Sequence, residues 1–304
     1  MEDRKMFQHC ARPIRTTSLI ALPLALMALA PAAHALSMNA TANWTVGLTD
    51  PAGSASASAS SGSVDIGAWH NDTTNSANSV FYHTYGDDAG NFGSRSSGNG
   101  NFDIDGQYSF NNTYTASGST SLFSFHVVPG ELAFYGSAGL TGTDQLTASY
   151  FLDILLNGVS IWSSGAKLEQ NGGSVNLINQ VGASLGSYTA GSFQYNMNDY
   201  TNTLTLNDYA TINNGDTYTI DYVLTTKATG NLTCTGSSSN TSGGGAADPT
   251  KPENHDSTGN TDPCAGAVAR IGDPFGVHDV PEPSTIALLG LGLAGFGIAR
   301  RRKA

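Results

Sequence analysis

Three patterns in this 304-residue chain combine residue types and spacings that chemistry uses. Gly182-Ala183-Ser184-Leu185-Gly186 has the spacing of the G-x-S-x-G elbow, in which a strand-to-helix turn lifts a nucleophilic serine above a sheet. Here Ser187 to Gln194 is β-prone, and the later histidines, His255 and His278, fall in a stretch too poor in apolar residues to hold a triad. Asn101-Phe102-Asp103-Ile104-Asp105-Gly106 has the form of the start of a calcium loop, with oxygen ligands at Asn101, Asp103 and Asp105 and the turn glycine sixth. Its twelfth position is Asn112 and not the bidentate glutamate; Phe102 and Ile104 also alternate with the aspartates as on a strand with one dry and one wet face. Calcium is the one cofactor these residues invite. Gly290-Leu291-Gly292-Leu293-Ala294-Gly295 matches the dinucleotide fingerprint, but that motif needs a strand before it, and Pro281 and Pro283 stand there instead.

The remaining reactive residue types are scattered. His70, His83 and His126 show no metal-ligand spacing, and no pair of carboxylates for hydrolysis stands out among the acids. Trp44, Trp69 and Trp162 have faces that stack on sugars, although in a sandwich such residues more often serve as core or cross-strand aromatics. Cys234 and Cys264 lack any zinc spacing; in an oxidising compartment a disulfide between them would close a loop of about 30 residues, worth roughly 3 to 4 kcal/mol. N-x-S/T sequons at Asn39, Asn43, Asn71, Asn111, Asn231 and Asn240 mark candidate surface loops.

The elements that must position these residues read as all-β. Short runs rich in Thr, Tyr, Phe, Val and Ile recur between Gly, Asn, Asp and Ser clusters, the pattern of a sandwich and not of alternating helices and strands. Leu146 to Leu156, Asn157-Gly158 and Val159 to Ser163 predict a type I′ hairpin. Further strands are expected at Ser79 to Tyr85, Gln107 to Ala116, Ser121 to Val128, Glu131 to Tyr135, Ser174 to Asn179, Gly191 to Met197, Thr203 to Leu206 and Thr217 to Thr226. The alternating Ala and Ser of 54–63 predict an edge strand. A single jelly-roll-like β-sandwich over 36–230 is the expected domain, followed by a low-complexity spacer at 231–279, where Gly, Ser, Asn, Thr, Asp and Pro leave almost nothing to bury.

Both ends have the composition of targeting segments. Arg4, Lys5, Arg12 and Arg15 precede an apolar run from Leu19 to Ala33, and Ala33-His34-Ala35 offers the small residues of a cleavage site, so 1–35 reads as a signal peptide cut by signal peptidase after Ala35. At the other end, Pro281-Glu282-Pro283 should be extended and accessible. Ser284 can cap a helix over 284–299, apolar from Ile286 to Ala299, and Arg300, Arg301, Arg302 and Lys303 then form a cytoplasmic stop. Sixteen residues span about 24 Å, short of the roughly 30 Å hydrocarbon core, as suits a temporary anchor. Between the two signals 21 acids face five bases, a net charge near −16 that opposes nucleic acid and anionic lipid.

Residues 280–304, with their Pro-Glu-Pro box, apolar helix and basic stop, resemble the PEP-CTERM sorting signal by which Gram-negative bacteria hand exported proteins to an exosortase. The resemblance implies an exosortase as partner, cleavage near Pro281, Glu282 and Pro283, transient anchoring in the inner membrane, and final residence at the cell surface or outside it among exopolysaccharide. The expected function is that of a non-catalytic surface or matrix protein, possessing no catalytic constellation and associated with exopolysaccharide or biofilm. The alternative is a secreted polysaccharide hydrolase or lyase on a sandwich scaffold.

Overall fold

The computed structural model describes residues 36–232, apart from 49, 76, 119–120, 138–139 and 141, together with 264–271 and the backbone of 278–279. Within these residues the chain forms β1 (Ser37–Val46), β2 (Gly53–Ala59), β3 (Ser63–Asn71), β4 (Ser79–Asp87), β5 (Phe92–Asn99), β6 (Phe102–Thr115), β7 (Leu122–Val127), β8 (Glu131–Tyr135) and β9 (Gln145–Leu156). It continues through β10 (Val159–Asn171), β11 (Ser174–Gly182), β12 (Gly186–Ser187), β13 (Gln194–Met197), β14 (Tyr200–Thr205), β15 (Thr217–Asn231), β16 (Gly266–Ile271) and β17 (His278–Asp279). One short 3-10 turn at Leu206–Asp208 is the only helical element among the described residues. No helix there is long and apolar enough to cross a membrane, and the expected span at 284–299 lies outside the described residues.

Sheet A runs β11-β10-β9-β15-β6-β1-β2, sheet B runs β12-β13-β8-β16-β5-β4-β3, and sheet C runs β14-β7-β17. The protein is therefore all-β and its sheets are antiparallel. Alternation sets the faces: Leu146, Ala148, Tyr150, Leu152 and Ile154 of β9 turn inward beside Ile220, Tyr222 and Leu224 of β15, while the intervening residues are polar or partly exposed. Sheets A and B meet across one core. Phe92 of β5 stacks on Tyr222 at 4.6 Å, and Gly86 of β4 leaves the space that the Tyr108 ring of β6 fills.

A hydroxyl cluster lies inside that core. Ser94 Oγ is 2.7 Å and Ser96 Oγ 2.9 Å from Thr226 Oγ1, Thr84 Oγ1 is 3.1 Å from Ser94 Oγ, and all four residues are buried. Each hydroxyl meets another, as burial demands. Gly106 faces the cluster from β6, where a Cβ would sit 2.8 Å from both Ser94 Oγ and Thr84 Oγ1.

The expected hairpin is present. Asn157 (φ 51°) and Gly158 (φ 77°) both occupy the left-handed region that a type I′ turn requires. The spacer expectation is corrected at 264–271. Gly266 to Ile271 is a strand of sheet B between β8 and β5, with Ala267, Val268, Ala269 and Ile271 buried. A boundary at 230 would therefore remove an interior strand. The short run of small residues lacked a signal of its own because its order comes from the slot between two distant strands.

Candidate functional site

The expected site residues separate into three groups. Ala35, Pro281, Glu282, Pro283, Arg300 to Lys303 and Cys234 lie outside the described residues. Cys264 is buried and disulfide-bonded. Asn101, Asp103 and Asp105 are not gathered into a calcium loop, because Phe102–Thr115 is strand β6. Asp103 pairs with Lys227 at 3.0 Å, Asp105 accepts from Asn43 Nδ2 at 3.1 Å, and the Asn101 backbone N–H donates to Asn78 Oδ1 at 3.0 Å. Among the described residues no three His, Cys, Asp or Glu side chains converge as metal ligands.

The serine of the elbow-like pattern is equally engaged. Ser184 donates to the Gly186 carbonyl at 2.9 Å, and strand β12 follows it in place of a helix. Sequons at Asn39, Asn43, Asn71, Asn111 and Asn231 fall on strands, not loops, and Asn240 lies outside the described residues.

The three tryptophans have different surroundings. Trp44 stacks on His70 at 4.2 Å and on Tyr82 at 5.0 Å, where burial lowers the His70 pKa and raises that of Tyr82. Trp162 packs against Phe125 and Tyr200. Only Trp69 is open, at 46% exposure. It leans on Phe81 at 4.7 Å, and the Arg95 guanidinium lies over the Phe81 ring, 5.0 Å from its centroid.

Register explains why these groups meet. On the outward face of sheet B, Trp69 stands opposite Phe81, and the next row runs Gly67, His83, Arg95, Arg270, Glu131 and Asn196 across six strands. His83 Nε2 is 3.0 Å from Asp65 Oδ1, and Arg270 Nε is ion-paired with Glu131 Oε1 at 2.9 Å. Residues separated by up to 203 positions thus share one row. Sequence reading missed this row because it left Arg270 in the spacer. The alternation in Ala267-Val268-Ala269-Arg270-Ile271 was the only local hint.

The outward face of sheet A is chemically different. Lys167 pairs with Glu169 at 2.6 Å and Lys227 with Asp103, so each lysine there has its own acid. Lys167 and Asn171 both hold the Glu169 carboxyl below the usual carboxylate range. Phe151, 41% exposed, lies over Gly165 beside Val181.

These features define an acidic, all-β domain with two outward faces of distinct character. Residues 279–303 match the PEP-CTERM protein-sorting motif, which marks the chain as an exported protein sorted by an exosortase. No curated protein matches the chain. The motif starts at Asp279, whose backbone is paired opposite Phe123 at the end of β17.

Proposed function

We propose that the chain is a non-catalytic cell-surface or extracellular-matrix protein whose jelly-roll-like sandwich associates with exopolysaccharide in a biofilm. On this reading signal peptidase cuts after Ala35, 284–299 holds the chain briefly in the inner membrane with Arg300 to Lys303 inside, and the exosortase cuts near the Pro281-Glu282-Pro283 box. The observation that carries it is the sorting motif at 279–303. The acidic domain supports it, since high net charge keeps a secreted protein soluble at high local concentration.

The hydrolase alternative needs a carboxyl held protonated near neutrality and a second one beside it. Asp72 and Glu169 both move the other way, to lower pKa. Glu131 and Asp103 are ion-paired. None of these four carboxyls supplies that pair.

Glu282→Gln tests the sorting step. In a host with an exosortase, the variant should stay unprocessed in the membrane fraction while the parent chain leaves it. Processing and localisation like the parent's would refute it.

A further inference from the structure

We propose that the outward face of sheet A binds a neutral, extended polysaccharide chain along the cross-strand row that runs from Phe151 through Thr225, Gln107 and Thr41 to Ser56, with Phe151 stacking on a sugar ring and the polar side chains bonding sugar hydroxyls. This rests on the polysaccharide reading above and names the class of polymer and the face that takes it.

Register alone assembles the row. Ser56 of β2 stands opposite Thr41 of β1, Thr41 opposite Gln107 of β6, Gln107 opposite Thr225 of β15, and Thr225 opposite Phe151 of β9. Ser56, Gln107 and Phe151 are exposed, and Thr41 and Thr225 are half-buried. None of the five is charged, and the four polar side chains make no hydrogen bond with any described residue. The rows on either side are engaged within the protein. On one side Asn43 donates to Asp105, Lys227 pairs with Asp103 and Lys167 with Glu169; on the other, Ser160 donates to Asp153. The row between them keeps its hydroxyls and its amide for a partner.

Phe151 supplies the stacking surface. A Cβ on Gly165 would lie 2.9 Å from the Phe151 ring and 3.0 Å from Val181 Cγ2, so the ring reclines across β10 toward the valine of the edge strand while staying 41% exposed. An aromatic face laid beside hydroxyls and an amide suits a pyranose, whose C–H face meets the ring and whose hydroxyls project from its rim. Neighbouring strands are about 4.8 Å apart, close to the length of one sugar in an extended chain, so Phe151 to Ser56 covers about 19 Å, or about four sugars. Sheet twist turns each strand by about 20–25° from the last, so the row follows a single winding chain and not the flat face of a crystal. Charge selects a neutral polymer: the domain is strongly acidic, and the lysines beside the row, Lys167 and Lys227, already hold acids of their own.

The test uses the full-length chain in detergent at physiological salt, titrated with cellohexaose and with hexagalacturonate. Cellohexaose should bind, with Phe151→Ala weakening it by about ten-fold or more and Gln107→Ala by about three-fold or more, while Tm confirms that both variants stay folded. Trp69→Ala on sheet B should leave the affinity unchanged, and hexagalacturonate should bind at least ten-fold more weakly. Unchanged affinity in both sheet A variants overturns the proposal. Loss of binding in Trp69→Ala with the sheet A variants unaffected also overturns it and leaves the polysaccharide reading standing, as does equal or tighter binding of hexagalacturonate. Self-association that Phe151→Ala abolishes, in a chain that binds no glycan, would make this face a contact between copies and overturn it too. If neither oligosaccharide binds, the polysaccharide part of the proposed function falls as well.

Discussion

Ending the chain at Leu232 should abolish cooperative folding of the domain, although 197 of its residues would remain. The deletion removes β16, which lies between β8 and β5. Ala267, Val268, Ala269 and Ile271 are at most 2% exposed, and their nine side-chain carbons at about 0.8 kcal/mol each represent roughly 7 kcal/mol of burial, an upper value because the unfolded chain is itself partly collapsed. Whole domains are stable by only about 5–15 kcal/mol. The loss also uncovers the neighbours of those side chains and leaves two strands with unpaired edges. Urea titration followed by circular dichroism should show a steep transition for a chain of 36–279 and a shallow, early one for 36–232. An identical midpoint and slope for the two chains would refute the reasoning, since it would mean that β16 is an ornament on a sheet complete without it.

Gly106→Ala should lower stability by about 1–3 kcal/mol, because the methyl crowds Ser94 and Thr84 at 2.8 Å inside the hydroxyl cluster; thermal unfolding measures it, and an unchanged Tm would mean the cluster relaxes freely. Asp72 is pulled two ways: burial raises its pKa, but bonds from Asn78, Thr74 and Asn75 together hold it below the ordinary aspartate value. A depressed folded pKa gives stability that is present above the unfolded value and lost as pH falls through the folded one. Asp72→Asn should therefore flatten the acid side of the stability curve, read as urea midpoints at pH 7 and pH 3. We propose Cys234 as the partner of the disulfide-bonded Cys264; Cys234→Ser should then lower Tm under non-reducing conditions by roughly 10 °C, from about 3 to 4 kcal/mol of loop closure. Mass spectrometry showing Cys264 still bridged in that variant would rule the pairing out.

What was legible in the sequence was what local chemistry dictates. Asn157-Gly158 specified its turn, Glu131–Tyr135 has the expected bounds, and the alternating Ala and Ser of 54–63 overlap β2 at all but its first residue. The Pro-Glu-Pro box and its flanks pointed to a sorting signal, and residues 279–303 match one. β5 and β16 were illegible for a shared reason. Phe92-Gly-Ser-Arg-Ser-Ser-Gly-Asn shows no apolar alternation, because two of its inward residues, Ser94 and Ser96, meet hydroxyls of Thr84 and Thr226. β16 is short and made largely of small residues. Both strands exist because neighbours far away in the chain pair with them, and the cross-strand row of His83, Arg95 and Arg270 on sheet B depends on that same long-range pairing, so it was hidden with them.

The place of β16 also bears on the timing of export. A chain threaded through the membrane N-terminus first arrives outside with β8 and β5 in hand but the strand between them still to come. Unpaired edges of that kind invite association with other chains. Ile271 is 15 residues ahead of Ile286, where the apolar segment begins, a reach of about 50 Å when fully extended. On the proposed topology, the sheet can close only as translocation is about to halt. Each molecule would then finish folding while held singly at the membrane surface, and release by the exosortase would deliver a closed sheet to the crowded exterior.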